Sequence, residues 1–359
     1  MSSACDACLR RTWLLARLGG HLERAREQGR RLPVVLALSN DELLAALGGG
    51  ERGRIAVEIA GFAPARARQA AADAGLASLC RCDERYPAQL LDAPDAPAVL
   101  HVAGSLDRFL ALVAAPAVAI VGTRRASPYG LEVAGSLARG LAVAGVTVVS
   151  GMAMGIDSAA HEGTLGADGG TVAVLAGSAD HAYPRSARGL HRRLVEHAAV
   201  VSELPPGVLP RRWMFPARNR LIAGLSSVTV VVEGGERSGS LITAGIAEDL
   251  GRDVAAVPGR VTSPMASGPH ALLADGAHLV RDATDILDLL HLPPQRVAPR
   301  PVPEELRPLL DAVAHGADTV TALALGGLEV GGALAGLTEL ELRGLVRAAP
   351  GGRYEVVPG

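Results

Sequence analysis

Two adjacent arginines, Arg124 and Arg125, follow a run of apolar residues in AVAIVGTRRASPYG. An apolar strand, a glycine turn and a helix starting near Gly130 form the entry of a nucleotide-binding α/β unit. At that turn a dinucleotide site places further glycines, so that backbone can approach a pyrophosphate. Guanidinium groups in their place offer planar, permanently charged forks suited to phosphate oxygens. The chain contains no lysine, and all 35 basic side chains are arginine.

Four other loops carry comparable material. SGMAMGIDSAAH places Gly151 and Gly155 ahead of Asp157 and His161, which are spaced to share a helix face. As a functional pair they would be an acid and base or two metal ligands. The plainer reading, a helix-start carboxylate holding a structural histidine, is preferred because no third ligand or nucleophile is near. Tyr183, Pro184 and Arg185 precede a basic helix, which is either a phosphate position or an ordinary turn before a solvated face. Arg211, Arg212 and Arg218 interleave with Trp213 and Phe215 in a chain that is only 3% aromatic, which makes the clustering notable. A single-stranded nucleic-acid groove needs that combination of cations for the backbone and rings for bases. The same residues equally fit core aromatics with surface ion pairs. Ser238, Gly239 and Ser240 form a polar turn that is either an anion nest or a helix cap.

Other chemistries lack their motifs. The first loop has no GxGxxG and the chain has no GxxxxGK[ST], so nicotinamide chemistry and Walker-type ATP hydrolysis are disfavoured and no cofactor is expected. Cys5-x-x-Cys8 and Cys80-x-Cys82 are too few cysteines for a secreted disulfide scaffold. Four free thiols, partly buried, are the preferred reading and no metal is expected; the alternative is that the two pairs close a tetrahedral zinc site. A net charge of −2 creates no global attraction for polyanions, so any nucleic-acid site must be a local patch. No segment has the length and apolarity of a membrane span, and a soluble cytoplasmic protein is expected.

These loops need a scaffold that brings them together. Apolar runs at 118–122, 146–151, 171–177, 199–204, 228–234 and 254–259 are uniformly apolar, as parallel strands covered on both faces must be. Helical patterns separate them at 130–144, 156–167, 186–197, 218–226 and 240–251. The expectation is an α/β fold with an extended Rossmann-like, doubly wound, mostly parallel sheet over 77–291. A helical domain resembling a SAM or helix-hairpin module occupies 1–76, and a Pro-rich linker spans 292–303. Residues 304–359 suggest a winged-helix-like domain, with helices near 304–314, 319–326 and 337–347 before a short hairpin. Ligands of such a sheet bind at the strand C-termini. Arg124, Arg125, Arg185, Arg218 and Arg220 should therefore converge beside the glycine and serine turns.

The ordered motifs VGTRRASPYG, SGMAMGIDSAAH, YPRS, SELPPG, FPARNRLIAGLS, VVVEGGERSGSLITA, GRDVAAVPG and SGPHALLADGAHLV resemble the DNA-processing protein A (DprA, or Smf) family. The resemblance implies a non-enzymatic protein that binds single-stranded DNA. It further implies a homodimer that protects incoming strands and helps load the RecA recombinase in natural transformation. Carried over by position, the DNA-binding residues would be Gly122, Thr123, Arg124, Arg125 and Ser127 in the first loop, Gly151 in the second, and Arg185 after Tyr-Pro. Arg218, Asn219, Arg220, Ser238, Gly239 and Ser240 complete the set. One departure is Met154, which stands where the family usually has an arginine between the second-loop glycines. Two other functions compete: a nucleotide-processing hydrolase using Glu233 at its strand end, and a transcription regulator acting through the terminal domain.

Overall fold

Strands that are apolar on both faces require cover on both, and the sheet in this computed structural model has it. The structure describes residues 4–292, 302–343 and 345–356; most of the expected Pro-rich linker, 293–301, lies outside them. The strands are β1 (Leu76–Cys80), β2 (Val99–Ala103), β3 (Ala117–Val121), β4 (Thr147–Ser150), β5 (Thr171–Val174), β6 (Ala199–Ser202), β7 (Val228–Val231), β8 (Asp253–Ala256) and β9 (His278–Leu279). They form one nine-stranded sheet in the order β1-β2-β6-β5-β4-β3-β7-β8-β9. Strands β3 to β9 are mutually parallel, and β2 joins β6 and β1 in antiparallel register. Along β3, Ala119 and Val121 enter the core on one face while Val118 and Ile120 enter the core on the other. Alternate side chains of one strand thus supply two hydrophobic layers.

The six apolar runs all form parallel strands, and the predicted helices appear within a few residues of their expected limits. Helices Pro128–Val143 and Ile156–Leu165 cross very closely: a Cβ on Gly163 would run into the backbone of Gly135. This contact fixes the second loop against the first. The N-terminal helices include Asn40–Leu47, opened by a reciprocal capping box between Ser39 and Glu42. Their apolar faces share a cluster with Trp213, Met214 and Ala217, so this helical layer packs on the back of the helix Met214–Gly224.

The chain divides into two compact units, Met1–Pro294 and Gln295–Gly359. In the second, helices Arg307–Ala314, Val320–Leu325 and Val330–Leu342 precede the antiparallel pair β10 (Val346–Ala349) and β11 (Arg353–Val356). The last helix lies earlier than the expected 337–347, because Val346 is drawn into the ladder opposite Val356. Among the described residues, no helix is long and apolar enough to cross a membrane.

Two histidines lie wholly inside this fold. His101, on β2, meets the Ser78 hydroxyl at 2.9 Å, and burial pushes its pKa down to about 4. His161 is held at 2.8 Å from Thr171 Oγ1, and burial pushes it down to about 3. Both are therefore kept neutral where an unfolded histidine, at about 6.5, would take a proton. Their share of stability is complete above pH about 6.5 and is lost as pH falls toward the folded values. His101→Gln should lose about 2 kcal/mol less stability than the parent between pH about 7 and 5. Denaturant unfolding at the two pH values measures this, and equal losses would contradict the assignment.

Candidate nucleic-acid interface

The chain order reverses at β3, which has β4 on one side and β7 on the other. The loops leaving β3 and β7 therefore diverge, and a crevice opens between them, the usual ligand position in such sheets. Gly122, Thr123, Arg124 and Arg125 line one wall, and Ser238, Gly239 and Ser240 line the other; Phe215, Arg218 and Asn219 rise between them. A second recess shares Arg124, Phe215 and Arg218 and adds Gly151, Met154, His181 and Tyr183. A third continues past His181 and Tyr183 to Arg185, Arg188 and His191. The three form one groove along the strand C-termini.

Local structure explains each position. Gly122 and Gly155 permit close approach, since a Cβ on Gly122 would meet Ile156 and one on Gly155 would meet the Thr123 carbonyl. Gly155 also has φ 82°, a left-handed conformation that suits glycine. Ser238 caps the helix Gly239–Asp249 by accepting from Ser240 N–H, and its hydroxyl lies 2.7 Å from that of Ser240. Asn219 donates to the Gly239 carbonyl at 3.2 Å, tying the Met214–Gly224 helix to the Ser238–Ser240 wall.

The guanidinium groups fall into three kinds. Arg124, Arg125 and Arg185 are exposed, and among the described residues none of them pairs with a carboxylate. The Arg124 guanidinium lies 4.7 Å from the centre of the Phe215 ring, which is 5.7 Å from the Tyr183 ring. This row of Tyr183, Phe215 and Arg124 joins the recesses. Arg218 lies at the groove floor, buried: its Nη1 donates to the carbonyls of Gly151, at 2.8 Å, and Val174, and its Nε has no partner among the described residues. Burial holds it down to about 10, opposed by the nearby Asp157 carboxylate. Burial likewise raises Asp157, which accepts from the N–H groups of Gly151 and Ala153.

Arg220 corrects the expected convergence. It points away from the groove and is buried between Glu203, at 2.7 Å, and Asp95, at 2.9 Å. Burial alone would lower its pKa, but the two carboxylates outweigh it and hold the group above its ordinary value. Ser127 is also committed elsewhere. It caps the helix after the first loop, and its N–H and hydroxyl donate to Glu233 at 2.9 and 2.6 Å. Glu233 therefore has both oxygens engaged, is buried, and does not line the crevice, which removes the acid–base role considered for it. Trp213 is 1% exposed inside the helical layer, so only Phe215 of that pair faces the groove. Asp157 and His161 do not pair with each other. The Thr171 hydroxyl donates to the Val148 carbonyl, so His161 Nδ1 carries the proton it gives to Thr171.

Sequence reasoning missed His181 and Arg188, although both flank the Tyr-Pro-Arg segment in a run rich in basic residues. It also missed the carboxylate partners of Arg220, one of which is 125 residues away in the chain.

Fold and groove together define a Rossmann-like α/β protein whose switch point presents arginines and an aromatic pair in place of a cofactor-binding glycine loop. The chain belongs to the DNA recombination-mediator protein A family, whose model matches residues 77–291. It is 45% identical over 249 residues to the putative DNA processing protein DprA of Mycobacterium tuberculosis, covering 67% of this chain and 64% of that protein's length. Identity to the Bacillus subtilis DNA processing protein DprA is 38% over 260 residues, covering 72% of this chain and 84% of the relative. The X-ray structure of DNA processing protein A from Streptococcus pneumoniae superposes with a TM-score of 0.64 at 30% identity, over 80% of this chain and 98% of the other. That of Helicobacter pylori, described for its single-stranded DNA binding mode, gives 0.54 at 29% identity, over 60% and 95%.

The exposed and the ion-paired arginines should separate in mutagenesis. Arg220→Met strands Glu203 and Asp95 as unpaired buried carboxylates and should cost about 3–5 kcal/mol. Arg124→Ala should change stability by less than about 0.5 kcal/mol. Chemical denaturation measures both, and equal effects would contradict this division.

Proposed function

We propose that this protein binds single-stranded DNA along the groove at its sheet switch point, with the sugar–phosphate backbone on the arginines and bases against the aromatic pair. The observation that carries this reading is the row of Tyr183, Phe215 and Arg124 above the buried Arg218. Rings stack bases without regard to sequence, and unpaired guanidinium groups beside them neutralise phosphates. A groove of successive recesses suits a flexible strand with several phosphates. Met154 leaves the groove lip uncharged, so cationic contact there falls to the adjoining Arg124 and Arg125. Family membership supports the wider role: a cytoplasmic homodimer that covers incoming strands during transformation, delivers them to RecA and catalyses no reaction itself. The residues proposed to touch DNA are those lining the groove; Arg220, Ser127 and Glu233 hold its frame.

Salt-titrated binding of labelled oligonucleotides tests this. Single strands should bind more tightly than duplex of equal length. Each of Arg124→Ala and Arg125→Ala should flatten the dependence of log affinity on log salt by about 0.7. Phe215→Ala should cost ~1–3 kcal/mol of affinity while leaving that slope in place. Unchanged affinity and slope in all three variants would refute the proposal.

A further inference from the structure

The four cysteines, separated by more than seventy residues in the chain, meet in space at a place the DNA groove does not use. Cys5 and Cys8 lie at the start of the helix Asp6–Arg17, and Cys80 and Cys82 lie at the end of β1 and in the turn after it. All four sulfurs lie within 4.8 Å of one another. The Cys82 sulfur is 3.9 Å from that of Cys5 and 3.7 Å from that of Cys8.

These separations discriminate between chemistries. A disulfide needs sulfurs about 2.05 Å apart and joins them two at a time. Here two sulfurs of the first pair approach the same sulfur of the second. Zinc–thiolate bonds of about 2.3 Å in tetrahedral array put neighbouring sulfurs about 3.8 Å apart, which the two separations from the Cys82 sulfur match. The surroundings fit a closed structural site. Cys8 and Cys80 are buried, Cys5 is half-buried and only Cys82 is exposed. The Cys5 backbone N–H points to the Cys80 sulfur at 3.5 Å, the kind of outer hydrogen bond that steadies a ligating thiolate. Although Cys5 sits at the helix N-cap, its side chain makes no capping bond and is free to turn toward the others. Arg81 N–H donates to the Ala98 carbonyl at 3.1 Å, pinning the Cys80-x-Cys82 segment to the chain entering β2.

We propose that Cys5, Cys8, Cys80 and Cys82 bind one Zn²⁺ as a structural Cys₄ site joining the N-terminal helical layer to the outer edge of the sheet. Four protein ligands leave no open position, so the ion has no catalytic part. Its work is mechanical: it fixes the first helix of the layer that packs on the back of the Met214–Gly224 helix, whose other side carries Phe215 and Arg218 into the groove.

Metal analysis of the untagged full-length chain, grown with zinc and gel-filtered, should find about one zinc per chain. Protein grown with cobalt should show the strong visible and sulfur-to-metal charge-transfer absorption of tetrahedral thiolate ligation. Cys82→Ser, at the exposed position, should fold with an unchanged far-ultraviolet spectrum yet lose zinc to a competing chelator at least about tenfold more readily. Less than about 0.2 zinc per chain in the parent protein, or iron or disulfide in its place, would overturn the proposal.

Discussion

One buried cation organises the C-terminal edge of the sheet. Arg218 reaches from the Met214–Gly224 helix to the carbonyls of Gly151, after β4, and Val174, at the end of β5, with Asp157 close by. A guanidinium out of water is costly unless its charge and hydrogen bonds are met, and these partners come from three separate elements. Satisfying it therefore fixes the second loop, the end of β5 and the helix against one another. Gly151 is part of the same constraint, since any Cβ there would collide with the guanidinium. The groove floor is in consequence held in one arrangement by a buried guanidinium.

Around that floor, charge is divided between frame and face. Arg220, two residues along the helix, is turned about 200° from Arg218 and neutralised by Glu203 and Asp95. Glu233 is consumed by Ser127 at the root of the first loop. Glu203, Asp95 and Glu233 are thus spent on structure, and Arg124, Arg125 and Arg185 are left facing solvent. That arrangement produces a local positive groove on a chain whose net charge is −2.

Much of this was legible in the sequence for physical reasons. Six parallel strands announced themselves because strands covered on both faces are apolar throughout. Strands β1 and β2 did not, since LASLC and VLHVA carry polar residues, and His101 and Ser78 satisfy each other only once the antiparallel pair has formed. The two-residue β9 is too short to leave a pattern. Arg124, Arg125 and the Ser238–Ser240 turn were readable because strand ends converge in this fold. The contrast between Arg218 and Arg220, or between Phe215 and Trp213, was not. Residues two apart on a helix face opposite ways, and which side meets the core depends on a helical layer distant in sequence. The cysteine spacing raised a metal site, but only the fold brings both pairs within reach of one ion.

The most direct measurement is a structure of the protein with a short oligodeoxythymidylate. Phosphates should lie within hydrogen-bonding distance of Arg124 and Arg125, with a base against Phe215 or Tyr183. A strand bound on another surface, with the switch-point groove empty, would contradict a groove built to hold it.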